Sequence, residues 1–130
     1  MTAKLKVFIS SVQKELEDER LTVQNLINTD VFLSAHCTPV LYEFEPASPD
    51  RAAEGCLIAL DRCQVYILIV GMQYGTLVDG LSITHAEYRR AKERELPVLV
   101  FIRGERSAKR EVGTIRLLEE LDADGPKHKR

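Results

Sequence analysis

Four short stretches hold the side chains whose types and spacing could do chemistry. They are Ser10-Ser11, Glu43 with Glu45, Gly71-Met72-Gln73-Tyr74-Gly75, and Ser82-Ile83-Thr84-His85-Ala86-Glu87-Tyr88. Two serines before a helix place hydroxyls beside free backbone N–H groups, a setting for a ribose hydroxyl or a phosphate. Plain helix capping is the alternative. Glu43 and Glu45 alternate, so both carboxylates leave one face of a strand end, where they can hold ribose hydroxyls or face water. Tyr74 and Tyr88 can stack on a flat ring or cover the core. Thr84-x-x-Glu87 fits a capping box, in which the carboxylate satisfies backbone donors. The same carboxylate can instead stand beside a sugar and stabilise charge at its anomeric carbon. His85 precedes Glu87 by two and falls on another helix face, so no general-acid role is assigned to it.

These residues need a scaffold, and the apolar pattern supplies one. Leu5–Ile9 reads as a first strand. Val12 to about Asn28 reads as a helix, with Val12, Leu16, Val23, Leu26 and Ile27 inward and Lys14, Glu15, Glu17, Asp18 and Arg20 outward. Ser11 is its expected N-cap, and Glu15 and Glu17 suit its positive end. Residues 29–38 read as irregular, and Val40–Phe44 as a second strand, with Pro39 tolerable only at an end or edge. Ser48-Pro49-Asp50 opens a helix with Ala53, Cys56, Leu57 and Leu60 inward. Val65–Val70 is a continuous apolar run, as in a strand covered on both faces. A loop from Gly71 to Gly80 follows, then a helix over Thr84–Glu95, and Pro97–Ile102 as another buried strand. Ser107 to about Asp122 is a last helix, with Val112, Ile115, Leu118 and Leu121 inward and Asp124-Gly125-Pro126 as its stop.

Composition narrows the classes. The chain has 130 residues, 45% of them hydrophobic and 29% charged, enough for one domain with a core. The net charge of -2 argues against a basic nucleic-acid module. No apolar run reaches the ~18 residues of a membrane span, and the N-terminus lacks a signal-peptide core. Cys37, Cys56 and Cys63 form no C-x-x-C and no even framework, and Cys56 and Cys63 read as small core residues. The three histidines offer no metal-ligand spacing. The expectation is a cytoplasmic domain with no metal and no membrane or direct nucleic-acid contact.

The order β-α-β-α-β-α-β-α implies a three-layer, doubly wound parallel sheet. In such sheets ligands bind beyond the carboxyl ends of the strands. Those ends are Ser10-Ser11, Glu43 with Glu45, and Gly71–Gly75, with Ser82–Glu87 beside them. No G-x-G-x-x-G follows the first strand and no G-x-x-x-x-G-K-[ST] occurs. The acidic cluster of a phosphoacceptor receiver and the Ser/Thr/Gly-rich loop of a flavodoxin are also missing. Lys127-His128-Lys129-Arg130 stands where a fifth strand would begin, and the domain is expected to be the N-terminal part of a larger protein.

Val7-Phe8-Ile9-Ser10-Ser11-Val12-Gln13-Lys14-Glu15-Leu16-Glu17-Asp18-Glu19-Arg20 resembles the opening of an uncharacterised TIR-like family that carries a domain-of-unknown-function label. The likeness continues through Cys63–Gly71, Tyr74-Gly75, Gly80–Tyr88 and Pro97–Ile102, nearly the whole chain. It implies a flavodoxin-like or TIR-like sheet with strand order about 2-1-3-4(-5). It also implies relatives among TIR domains and nucleoside deoxyribosyltransferases, where a glutamate on the helix after the third strand is catalytic. On that likeness Glu87 is the catalytic residue. Ser10, Ser11, Glu43, Gln73, Tyr74, Gly75, Ser82, Thr84 and Tyr88 would then surround a nucleotide-like substrate. The chain departs from those relatives in having no tryptophan and in placing Tyr88 after the glutamate. The implied activity is cleavage of an N-glycosidic bond, in NAD or a nucleoside, with NAD as substrate and no resident cofactor. The alternative is a non-catalytic TIR-like module that works by self-association or by contact with downstream domains.

Overall fold

A computed structural model of the chain describes residues 3–42, 49–105, 107–125 and 128–129. The elements in chain order are β1 (Leu5–Ser10), α1 (Glu17–Thr29), α2 (Val31–His36), β2 (Cys37–Val40), α3 (Pro49–Asp61), β3 (Val65–Val70), β4 (Leu77–Val78), β5 (Leu81–Ser82), α4 (Ile83–Glu93), β6 (Val98–Ile102), α5 (Val112–Asp124) and β7 (His128–Lys129). Five strands form one sheet in the order β2-β1-β3-β6-β7. Its ladders are all parallel. Counted within that sheet the order is 2-1-3-4-5, as the sequence implies.

Strand alternation divides the sheet's two faces between two cores. Val7, Ile9, Ile67 and Ile69 meet Leu16 and Ile27 of the α1 region on one face. Phe8, Leu68, Val70, Val100 and Ile102 meet α3, α4 and α5 on the other through Leu60, Tyr88, Ala91, Leu117 and Leu121. Burying each large side chain contributes about 1.5–3 kcal/mol. β3 is covered on both faces, as its continuous apolar run requires. β6 is not: Leu99 and Phe101 stay largely exposed on the α1 side.

Several expected boundaries shift. Regular α1 begins at Glu17 rather than Val12, after a turn closed by Leu16 N to Val12 O at 3.2 Å. Leu16 holds the N-cap position, so Ser11 does not cap this helix. Arg20 lies on the inner face, only 3% exposed, while Leu26 faces water. Residues 31–36 are helical, capped by the Asp30 side chain on Leu33 N, and β2 starts at Cys37. Pro39 is accommodated because β2 is the edge strand. In α5 the inward residues are Thr114, Leu117 and Leu121, whereas Val112 and Ile115 are exposed. Gly125 adopts φ 79° and closes that helix onto Leu121 O, a left-handed C-cap that glycine favours. The expected Gly71–Gly80 loop contains β4, which pairs antiparallel with β5 just beyond it.

Candidate functional site

α4 sets the site. Its N-cap is Ser82, whose side chain accepts from His85 N at 3.1 Å. Ser82 is therefore occupied by its own helix. With the cap at Ser82, Glu87 is not the N3 partner of a Thr84 capping box. Its carboxylate leaves α4 and meets the end of β1, where Ser10 Oγ donates to Glu87 Oε1 at 2.7 Å. Glu87 is 5% exposed. Burial pushes its carboxyl up to about 7, although hydrogen bonds from Ser10 and Cys56 and the charge of Arg20 favour ionisation.

Near this carboxylate, which does not line it, lies an open cleft of about 370 Å³. One wall is the turn after β1, with Ser11, Val12, Gln13 and Lys14. The other wall has Gln73, Gly75 and Thr76 after β3, and Ile83, Thr84 and Glu111 complete it. A smaller space of about 10 Å³ touches Ser10, Ser11, Gln13, Thr84 and Glu87, and it has the scale of one water. Ser11, Gln13, Ile83 and Thr84 border both spaces. Ser11 is 6% exposed and its Oγ has no hydrogen-bond partner among the described residues.

The wall after β3 is held by side chains from the turn after β1 and from the α5 region. Glu15 accepts from Met72 N at 2.7 Å and from Gln73 N at 2.9 Å. Glu111 Oε1 accepts from Tyr74 N at 2.9 Å. Arg110 donates to Gly71 O at 2.6 Å and Thr114 to Met72 O at 3.1 Å. A Cβ at Gly71 would stand 2.6 Å from the Glu15 carboxylate, so this approach needs glycine. Glu15 thus serves the loop rather than the helix end expected of it.

Residues 6–125, nearly the whole chain, match a domain of unknown function (DUF4062). The chain belongs to that family. No curated protein sequence matches it. A solved prokaryotic SEFIR domain shares its fold, with a TM-score of 0.52 at 12% identity, over 92% of this chain and 97% of that one. The likeness establishes a TIR-like, flavodoxin-like architecture for this DUF4062 domain.

The expected site residues divide. Ser10, Ser11, Thr84 and Glu87 gather at the β1–α4 junction, and Gln73 and Gly75 form the facing wall. Tyr74 does not join them: its hydroxyl lies 2.7 Å from His85 Nδ1 and its ring packs over Gly113. Tyr88 is 2% exposed, lies tilted against Tyr66 in the core and donates to Asp124 at 2.6 Å. Neighbouring positions on a helix point about 100° apart, so Glu87 and Tyr88 serve different surroundings. Glu43 and Glu45 lie outside the described residues.

Sequence reasoning missed Arg20, Cys56 and the clamp of Glu15 and Glu111. It left His85 without a role. Its imidazole bridges Tyr74 and Glu120, and burial depresses its pKa against the pull of Glu120. No alternation pattern marks a buried arginine, and the clamp joins residues far apart in the chain. Among the described residues no cluster of His, Cys, Asp or Glu could hold a metal. No helix there is long and apolar enough to cross a membrane.

Proposed function

We propose that the domain processes a nucleotide-like ligand in the cleft at the carboxyl ends of β1 and β3, with Glu87 acting on an N-glycosidic bond. The single observation that carries this reading is the Ser10–Glu87 pair. A carboxylate that could have capped its own helix is instead buried at the strand ends, with its pKa near 7. Carboxyls whose pKa is shifted by burial cluster at functional sites. In the reaction the C1′–N bond breaks and the base leaves with the electron pair. Ionised Glu87 stabilises the oxocarbenium charge, and water adds to C1′ with loss of its proton. A ribose exceeds the 10 Å³ beside the carboxylate. The reading therefore requires the Ser11–Gln13 turn or Thr84 to move aside when substrate enters. Such a domain would serve as an effector or sensor module within a larger cytoplasmic protein.

The tightness of that space favours one second reading, a non-catalytic TIR-like module that works by self-association. Release of free base from NAD and a nucleoside panel separates the two, using full-length protein and Glu87→Gln. Turnover in the wild type and its loss in the variant is the expected result. Silence from both, with the protein folded and assembled, overturns the catalytic reading.

A further inference from the structure

A hydroxyl–imidazole–carboxylate chain stands beside the cleft and has no part in the proposed chemistry. Tyr74 Oη lies 2.7 Å from His85 Nδ1, and His85 Nε2 lies 3.2 Å from Glu120 Oε1. Glu120 in turn receives Arg89 through Nη2 at 2.8 Å and Nε at 3.2 Å. Lys92 Nζ stands 3.6 Å from Glu120 Oε2. The chain therefore ties the loop after β3 to α4 and α5. His85 is 3% exposed.

Donor and acceptor types fix the direction of the chain. An ionised carboxylate only accepts, so His85 Nε2 carries the hydrogen given to Glu120. Burial opposes a charged imidazole, and the neutral ring then presents a lone pair at Nδ1. Tyr74 is the donor to it. Tyr74 lies between Gln73 and Gly75, both of which line the cleft.

We propose that His85 is a positioning residue for the cleft: its Nδ1 lone pair holds the Tyr74 hydroxyl and thereby fixes the Gln73–Gly75 wall against α4 and α5. The value of this wall for ligand binding rests on the function proposed above. The positioning itself does not.

Two substitutions of His85 separate the halves of the chain. The Asn amide reaches the place of Nδ1 and can still accept from Tyr74. The Gln amide reaches the place of Nε2, keeps Glu120 and loses Tyr74. Gln is nearer to histidine in length, so a role in filling space alone predicts the opposite ranking. Hydrogen exchange at the Gln73 and Tyr74 amides, measured on the full chain, is the primary readout. It should accelerate roughly tenfold in Tyr74→Phe and His85→Gln, the loss of about one hydrogen bond. His85→Asn should stay near wild type, as should the amides of β3 in every variant. NAD is the binding probe, and its Kd should weaken in the same order. Equal exchange in His85→Asn and His85→Gln, or no change in Tyr74→Phe, would overturn the proposal. Absence of NAD binding by the wild type would count against NAD as the ligand of the proposed function, and exchange would still decide the role of His85.

Discussion

Ser10 and Glu87 stand 77 positions apart in the chain and 2.7 Å apart in the fold. This contact joins the end of a central strand to the first turns of α4. It also places an ionisable group in a nearly dry setting, 5% exposed beside a space the size of one water. A carboxyl with a pKa near 7 is about half protonated at neutral pH, so its state follows small changes in surroundings. Ligand entry that rehydrates it, or brings a cationic sugar near it, would ionise it further.

Glu87→Gln should stabilise the protein in mild base. The folded carboxyl titrates at about 7 against 4.5 for the unfolded group. The folded state therefore binds the proton more tightly, and stability falls as pH rises from 4.5 through 7. The neutral amide is free of that loss. The variant should gain on the order of 2–3 kcal/mol at pH 9 and little at pH 4. Denaturant unfolding across that range checks the sign; a variant less stable at pH 9 would contradict the burial argument.

Ser10→Ala should act in the opposite sense. The Ser10 hydroxyl favours the ionised carboxyl, so its loss raises the pKa further. The cost should be about 1.5–3 kcal/mol at pH 9, where the acceptor is charged, and about 0.5–1.5 kcal/mol at pH 5. The same unfolding series reads it. A cost independent of pH would mean that the hydroxyl serves packing alone.

Much of the fold was legible because apolar runs are local. Leu5–Ile9, Val65–Val70 and Pro97–Ile102 declare their strands without reference to partners. The helix stop at Gly125 and the edge position of Pro39 follow from backbone rules. The errors fall where distant contacts decide. Arg20 reads as a surface charge by spacing, yet it is buried where its charge acts on Glu87. Thr84-x-x-Glu87 reads as a capping box, yet Ser82 is already in place as the cap. Tyr88 has the same residue type as Tyr74 and none of its surroundings. The position of Glu87 after the third strand was legible through family likeness, whereas its partner Ser10 required the fold.

Glu15→Ala should loosen the cleft wall. Two backbone N–H groups, of Met72 and Gln73, lose one charged acceptor. Hydrogen bonds to charged groups contribute about 1.5–3 kcal/mol, and orphaned donors cost in proportion to their burial. The expected loss is about 2–3 kcal/mol, with Glu15→Gln losing roughly half as much because one carbonyl remains. Unfolding gives the total. Faster amide exchange confined to Met72 and Gln73 locates it.

Gly113→Ala is the sharpest test of how Tyr74 is seated. Alanine in place of a helical glycine ordinarily gains up to about 1 kcal/mol. Here a Cβ on Gly113 would overlap the Tyr74 ring. That ring cannot simply swing away, because its hydroxyl is held by His85 and the Tyr74 backbone N–H donates to Glu111. Gly113→Ala should therefore destabilise by about 1–3 kcal/mol, as overpacking does. In a Tyr74→Ala background the obstacle is gone, and the same substitution should turn neutral or stabilising. The double-mutant cycle should thus show a favourable coupling above about 1 kcal/mol. If Gly113→Ala carries the same sign in both backgrounds, the ring does not rest where the structure puts it, and the Tyr74–His85 link would have to be redrawn with it.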